Sequence, residues 1–104
     1  MIEPDVFRAL ADPTRRTLFE RLSTQEMSAA QLKRQLSISQ PAVSQHLTVL
    51  RSAGLVRERR DGRAFYYRAD PGGLEPLAGW LERYRTFWPE RLEKLANVLK
   101  DMNE

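Results

Sequence analysis

The link Asp61-Gly62, set between the runs 55–60 and 63–68, constrains this chain most, because an Asp-Gly pair joining two strand-forming runs calls for a tight antiparallel hairpin. Read as a type I′ turn, both link residues take positive φ, which Gly adopts freely and Asp more readily than most. Phe65, Tyr66 and Tyr67 strengthen the second strand. Two strands cannot bury a core alone, so the hairpin must lean on its neighbours in the chain.

Those neighbours are helical. Asp12-Pro13 marks a helix start, with Leu18, Phe19 and Leu22 as its apolar face, and Val6, Phe7 and Leu10 form a short separate helix upstream. Ser28-Ala29-Ala30-Gln31 has the form of a capping box, continued by Leu32 and Leu36. Ser39 caps a further helix whose Val43, Leu47 and Leu50 recur at helical spacing until Gly54. Two short helices joined tightly around Ile38 make a helix-turn-helix pattern. After the breaker Asp70-Pro71-Gly72-Gly73, helical spacing resumes over 74–102, with Pro89 expected to kink that helix near Arg85 or to split it. The expected fold is mainly α with a β-hairpin (α+β), one domain over 1–104.

At 104 residues the chain suits a single modest core. With 41% hydrophobic and 30% charged residues it is a folded protein rather than a disordered one. It has no cysteine and a single histidine, which excludes disulfides, thiolate metal sites and cysteine nucleophiles. No Ser/His/Asp arrangement, phosphate-binding Gly loop or close carboxylate pair suggests an enzyme, and no cofactor is expected. No apolar run reaches the roughly eighteen residues of a membrane span, and Glu3, Pro4 and Asp5 are unlike a signal peptide, so the expected location is the cytoplasm.

The net charge of +3 is unevenly placed. Residues 31–68 contain eight basic side chains (Lys33, Arg34, Arg51, Arg57, Arg59, Arg60, Arg63, Arg68) against Glu58 and Asp61, giving +6 and leaving −3 elsewhere. A solvated charged surface is one explanation; the coincidence with a helix-turn-helix favours double-stranded DNA. On the second helix of that pattern Gln45 lies opposite the core residues, flanked by Pro41, Thr48 and Ser52, a polar uncharged face suited to a major groove. Ser39 and Gln40 stand at its amino end, where Ser39 serves as a cap or as a phosphate contact. His46 lies toward the core edge, suited to packing or a phosphate, not to catalysis or metal binding.

Leu74, Leu77, Leu81, Tyr84, Trp88, Leu95, Val98 and Met102, widened by Leu92 and Leu99, form a stripe larger than one small domain needs. Burial against a second copy of the chain accounts for it, with intrachain packing as the alternative.

Phe7-Arg8-Ala9-Leu10-Ala11-Asp12-Pro13-Thr14-Arg15-Arg16, Gln40-Pro41-Ala42-Val43-Ser44-Gln45-His46-Leu47 and Ala53-Gly54-Leu55-Val56 together resemble the ArsR family of bacterial winged-helix repressors over about residues 5–70. The resemblance implies a winged helix-turn-helix over 5–70 and a carboxyl-terminal dimerisation helix over 73–103. The homodimer would be held by the terminal helices through Val6, Phe7, Leu77, Leu81, Tyr84, Trp88, Leu92, Leu95 and Leu99. A recognition helix over 40–53 would read a palindromic operator through Ser39, Gln40, Ser44, Gln45 and Thr48, with Arg57, Arg60, Arg63 and Tyr66 on the wing. Where the metal-sensing branch carries E-L-C-V-C-D-L, this chain has Glu26-Met27-Ser28-Ala29-Ala30-Gln31-Leu32, and 70–104 holds no histidine, so neither metal site of the family is expected. The carboxyl segment resembles a branch without recognised inducers, some members of which repress their own operons. A protein-interaction module, or a repressor released by an organic small molecule held among Trp80, Tyr84, Phe87 and Trp88, are the alternative functions.

Overall fold

The computed structural model describes residues 4–102, without the side chains of Pro4, Leu92, Ala96, Leu99, Lys100 and Met102. Helix α1 (Pro4–Ala11) turns sharply into α2 (Pro13–Thr24), followed by β1 (Met27–Ser28), α3 (Ala29–Leu36), α4 (Gln40–Ser52), the hairpin β2 (Val56–Asp61) and β3 (Ala64–Ala69), α5 (Glu75–Glu82) and α6 (Glu90–Met102). The sheet runs β1-β3-β2, all antiparallel.

Each helix junction is fixed by a local device. Asp12 Oδ1 accepts the amides of Thr14 (2.8 Å) and Arg15 (3.1 Å), and these bonds, the Arg15 amide foremost, hold its carboxyl below the ordinary range. Just upstream, the last four carbonyls of α1 all accept guanidinium donors: Arg8 and Ala9 from Arg15, Leu10 and Ala11 from Arg16. Two cations thereby satisfy the orphan acceptors at the negative end of the helix dipole. Ser28 and Gln31 close the capping box at 3.2 and 2.8 Å. Ser39 Oγ accepts the Ala42 amide at 3.2 Å. At the far end of α4 the Leu55 amide donates to Leu50 O (2.9 Å) and the Gly54 amide to Arg51 O (3.0 Å), a Schellman closure that needs the left-handed φ of +76° at Gly54 and brings the buried side chains Leu50 and Leu55 into the core.

The core gathers Leu18 and Leu22 of α2, Met27 of β1, Leu32 of α3, Val43, Leu47 and Leu50 of α4, and Leu55, Val56 and Ala69 from the hairpin base. Gly73 is required by this closure: a Cβ there would sit inside contact distance of the Gly54 carbonyl oxygen.

One expectation of the fold is corrected, that of the hairpin turn. The hairpin turn is Gly62-Arg63, with Asp61 paired to Ala64 as the last rung. Gly62 has φ +62° while Arg63 does not take positive φ, so the turn has the type II′ pattern and only glycine bears the left-handed conformation. This register sets Val56 against Ala69, both buried. The carboxyl segment, expected over 73–103 with a kink or a split at Pro89, is split into two helices. A 3₁₀ turn at Pro71–Leu74 leads into α5, a second at Arg85–Phe87 follows it, and Trp88 is extended (φ −87°, ψ 141°), as a residue before proline must be. Pro89 thus precedes α6 instead of bending a continuous helix. Arg85 braces the corner, reaching Glu82 (3.1 Å), Glu93 (3.6 Å) and Asn97 (2.6 Å). No described helix is long and apolar enough to cross a membrane.

Candidate nucleic-acid interface

Helix α4 is two-sided. Val43, Leu47 and Leu50 are buried, whereas Ser39 at its cap and Gln40, Pro41, Ser44, Gln45, Thr48 and Ser52 are exposed. Among the described residues neither Gln40 nor Gln45 makes a side-chain hydrogen bond within the chain, which leaves both amides able to donate and accept outward. Thr48 donates its hydroxyl proton to Ser44 O at 2.9 Å, so it presents a methyl group and oxygen lone pairs. Those suit a thymine methyl or a base amino group, not a base acceptor. Ser39 Oγ is occupied as an acceptor by its cap bond, but its own proton remains free to donate to a phosphate.

The hairpin divides the basic residues into two sets. Three are tied to carboxylates: Arg51 of α4 to Glu58 (3.1 Å), Arg57 to Asp70 (2.8 Å), and Arg59 to both oxygens of Glu26 (3.0 and 2.6 Å). The Arg59 guanidinium holds the Glu26 carboxyl below its ordinary range. Beside Glu58, burial first and then that carboxylate push the Tyr67 hydroxyl upward, so it stays protonated. Among the described residues Lys33, Arg34, Arg60, Arg63 and Arg68 make no such pair, and they carry the uncompensated charge.

The expected wing residues therefore part company. Arg63 occupies the turn and Arg60 lies over Phe65 (5.6 Å) near the tip, with its Nε donating to Gly62 O (3.0 Å). Arg57 sits at the hairpin base, on the opposite face from Arg60, and Tyr66 is half-buried beneath Arg59 (5.0 Å). The clamping carboxylates Glu26, Glu58 and Asp70 escaped the sequence reading. Only Glu58 left a signal, as an acid inside a basic run.

The terminal helices present the other surface. Phe7 packs edge-on against Trp80 (5.4 Å), which leans on Tyr84 (5.1 Å). Phe87 is 81% exposed, Leu95 50% and Val98 55%. Leu77, Leu81 and Trp88 are half-buried; Leu92 and Leu99 lie outside the described side chains. Val6 is corrected: at 1% exposure it belongs to the core and offers no area to a second chain. The residues at the thiolate positions do not fit a metal, since Ser28 is engaged as the α3 cap and Ala30 has no donor.

The helix-turn-helix domain family matches residues 10–59. The HTH-type transcriptional regulator Rv2034 of Mycobacterium tuberculosis is 43% identical over 97 residues, covering 92% of this chain and 88% of that protein. The transcriptional repressor SdpR of Bacillus subtilis is 32% identical over 77 residues, covering 74% and 86%. The solved structure of the ArsR-like transcriptional regulator from Rhodococcus sp. RHA1 superposes with a TM-score of 0.75 at 34% identity, covering 93% of this chain and 89% of that one.

Proposed function

The chain belongs to the ArsR family of winged-helix, DNA-binding transcriptional regulators, and from that premise we propose that it is a homodimeric repressor of a palindromic operator, acting in the cytoplasm. Two α4 helices about 34 Å apart would enter successive major grooves. Gln40, Ser44, Gln45 and Thr48 would read base edges, and Ser39, Arg60 and Arg63 would hold phosphates or the minor groove. The outer face of α4 supports this reading: it is exposed, polar and uncharged, and among the described residues its Gln40 and Gln45 amides make no bond within the chain and the arginines of the adjacent hairpin tip have no carboxylate partner. Arg57, tied to Asp70 near the hairpin base, and Tyr66, beneath Arg59 midway along it, contribute by holding the wing.

Selection of bound fragments from genomic DNA, followed by titration of selected and scrambled duplexes, tests it. Gln45→Ala should lower the preference for the selected duplex by about 1–3 kcal/mol and leave scrambled binding unchanged. Arg63→Ala should weaken both duplexes and reduce the salt slope by about one per protomer. Equal loss on both duplexes for Gln45→Ala would remove α4 as the reading element.

A further inference from the structure

Every arm of the Arg15 guanidinium is engaged inside the fold. Nε donates to Ala9 O (2.8 Å), Nη2 to Arg8 O (2.8 Å), and Nη1 reaches His46 Nδ1 at 3.4 Å and lies 4.0 Å from Asp12 Oδ2. The side chain is only 16% exposed. A guanidinium has no acceptor, so Nδ1 is the atom placed to accept in this contact. His46 stands on α4 between Gln45 of the outer face and Leu47 of the core. One planar side chain on α2 therefore joins the carboxyl end of α1 to the middle of α4, while α1 in turn seats Phe7 on Trp80 of α5.

We propose that Arg15 and His46 form a positioning strut that fixes the rotation of α4 against α1, and through α1 against the carboxyl helices, so that Ser44, Gln45 and Thr48 face base edges squarely. The proposal rests on α4 being the reading helix. A bidentate amide contact to a base fails with a small rotation, whereas attraction to phosphates hardly depends on it. The strut thus governs discrimination between sequences and leaves general affinity alone. Lysine at position 15 would keep the charge but lose the fork.

The test uses the full chain, a duplex that the wild-type protein selects from a randomised pool, and a scrambled duplex of equal composition, titrated over a range of salt. His46→Leu removes the acceptor; His46→Asn keeps one, with Oδ1 where Nδ1 stood. His46→Leu and Arg15→Lys should each lower the selected-over-scrambled ratio about tenfold, and the double variant no further, because each breaks the same link between α1 and α4. His46→Asn should stay within about twofold of wild type, and the salt slope on scrambled DNA should not change in any of them. A wild-type ratio in His46→Leu, a loss in His46→Asn equal to that in His46→Leu, multiplying losses in the double variant, or a lower salt slope would each overturn the strut, the last by putting His46 on a phosphate. Circular dichroism before titration identifies variants that do not fold, and the two His46 substitutions carry the test if Arg15→Lys is among them. Gln45→Ala run alongside separates the levels: if it loses the ratio and His46→Leu does not, only the strut falls; if Gln45→Ala keeps the ratio, the reading of α4 falls too.

Discussion

The segment from α1 to β3 and the segment from α5 to α6 are built on opposite terms. In the first, nearly every large apolar side chain is inside and each helix junction is closed by a cap, a capping box or a Schellman turn. In the second, α5 has no fully buried residue, and Phe87, Leu95 and Val98 face outward. A single chain completes the winged-helix body; it leaves the carboxyl helices with apolar side chains exposed. In the proposed homodimer the difference would separate two kinds of stability, one intrinsic to the chain and one dependent on its concentration.

Substitutions on either side test that contrast. The largest effect is expected in the body: Leu50→Ala should cost about 2–5 kcal/mol in denaturant unfolding, by lost burial and the cavity left behind. Gly73→Ala, which forces a methyl group against the Gly54 carbonyl, should cost about 1–3 kcal/mol in the same assay. Leu95→Asp with Val98→Asp should leave the circular dichroism of the body intact and weaken self-association by about tenfold or more in sedimentation experiments. An unchanged association constant would show that this surface serves something other than a second copy. The smallest effect concerns Glu26, whose carboxyl is held below its ordinary range by Arg59. Its contribution to stability should be complete above that ordinary range and fade as pH falls through the lowered value. The carboxyl carbon shift of Glu26, followed by NMR, should titrate lower in wild type than in Arg59→Gln.

The same contrast explains what was legible in the sequence. The caps at Asp12, Ser28 and Ser39 and the closure at Gly54 are local: donor and acceptor lie within a few residues, so the order of residues displays them. The outer face of α4 followed from helical spacing alone. Strand β1 did not, because two residues have no periodicity and its partner for Met27 is Tyr67, forty positions along. The ion pair of Glu26 with Arg59 is hidden for the same reason. Pro89 marked the place between α5 and α6 but left a kink and a split both open, because Tyr84, Trp88 and Leu95 keep a helical spacing across residues that are not helical. The turn at Gly62-Arg63 differs by one residue from the Asp-Gly expectation, since a single glycine suffices for type II′.

The corner where Arg15 and Arg16 close α1 has a kinetic consequence. Each of their bonds to the α1 carbonyls spans no more than seven positions, so forming the corner closes only a short loop and loses little chain entropy. The sheet, by contrast, must bring Met27 to Tyr67 before its third strand exists. Local contacts form fast and distant ones slowly. The first helical corner is therefore suited to form early and to offer Leu18 and Leu22 as the surface on which the hairpin later settles.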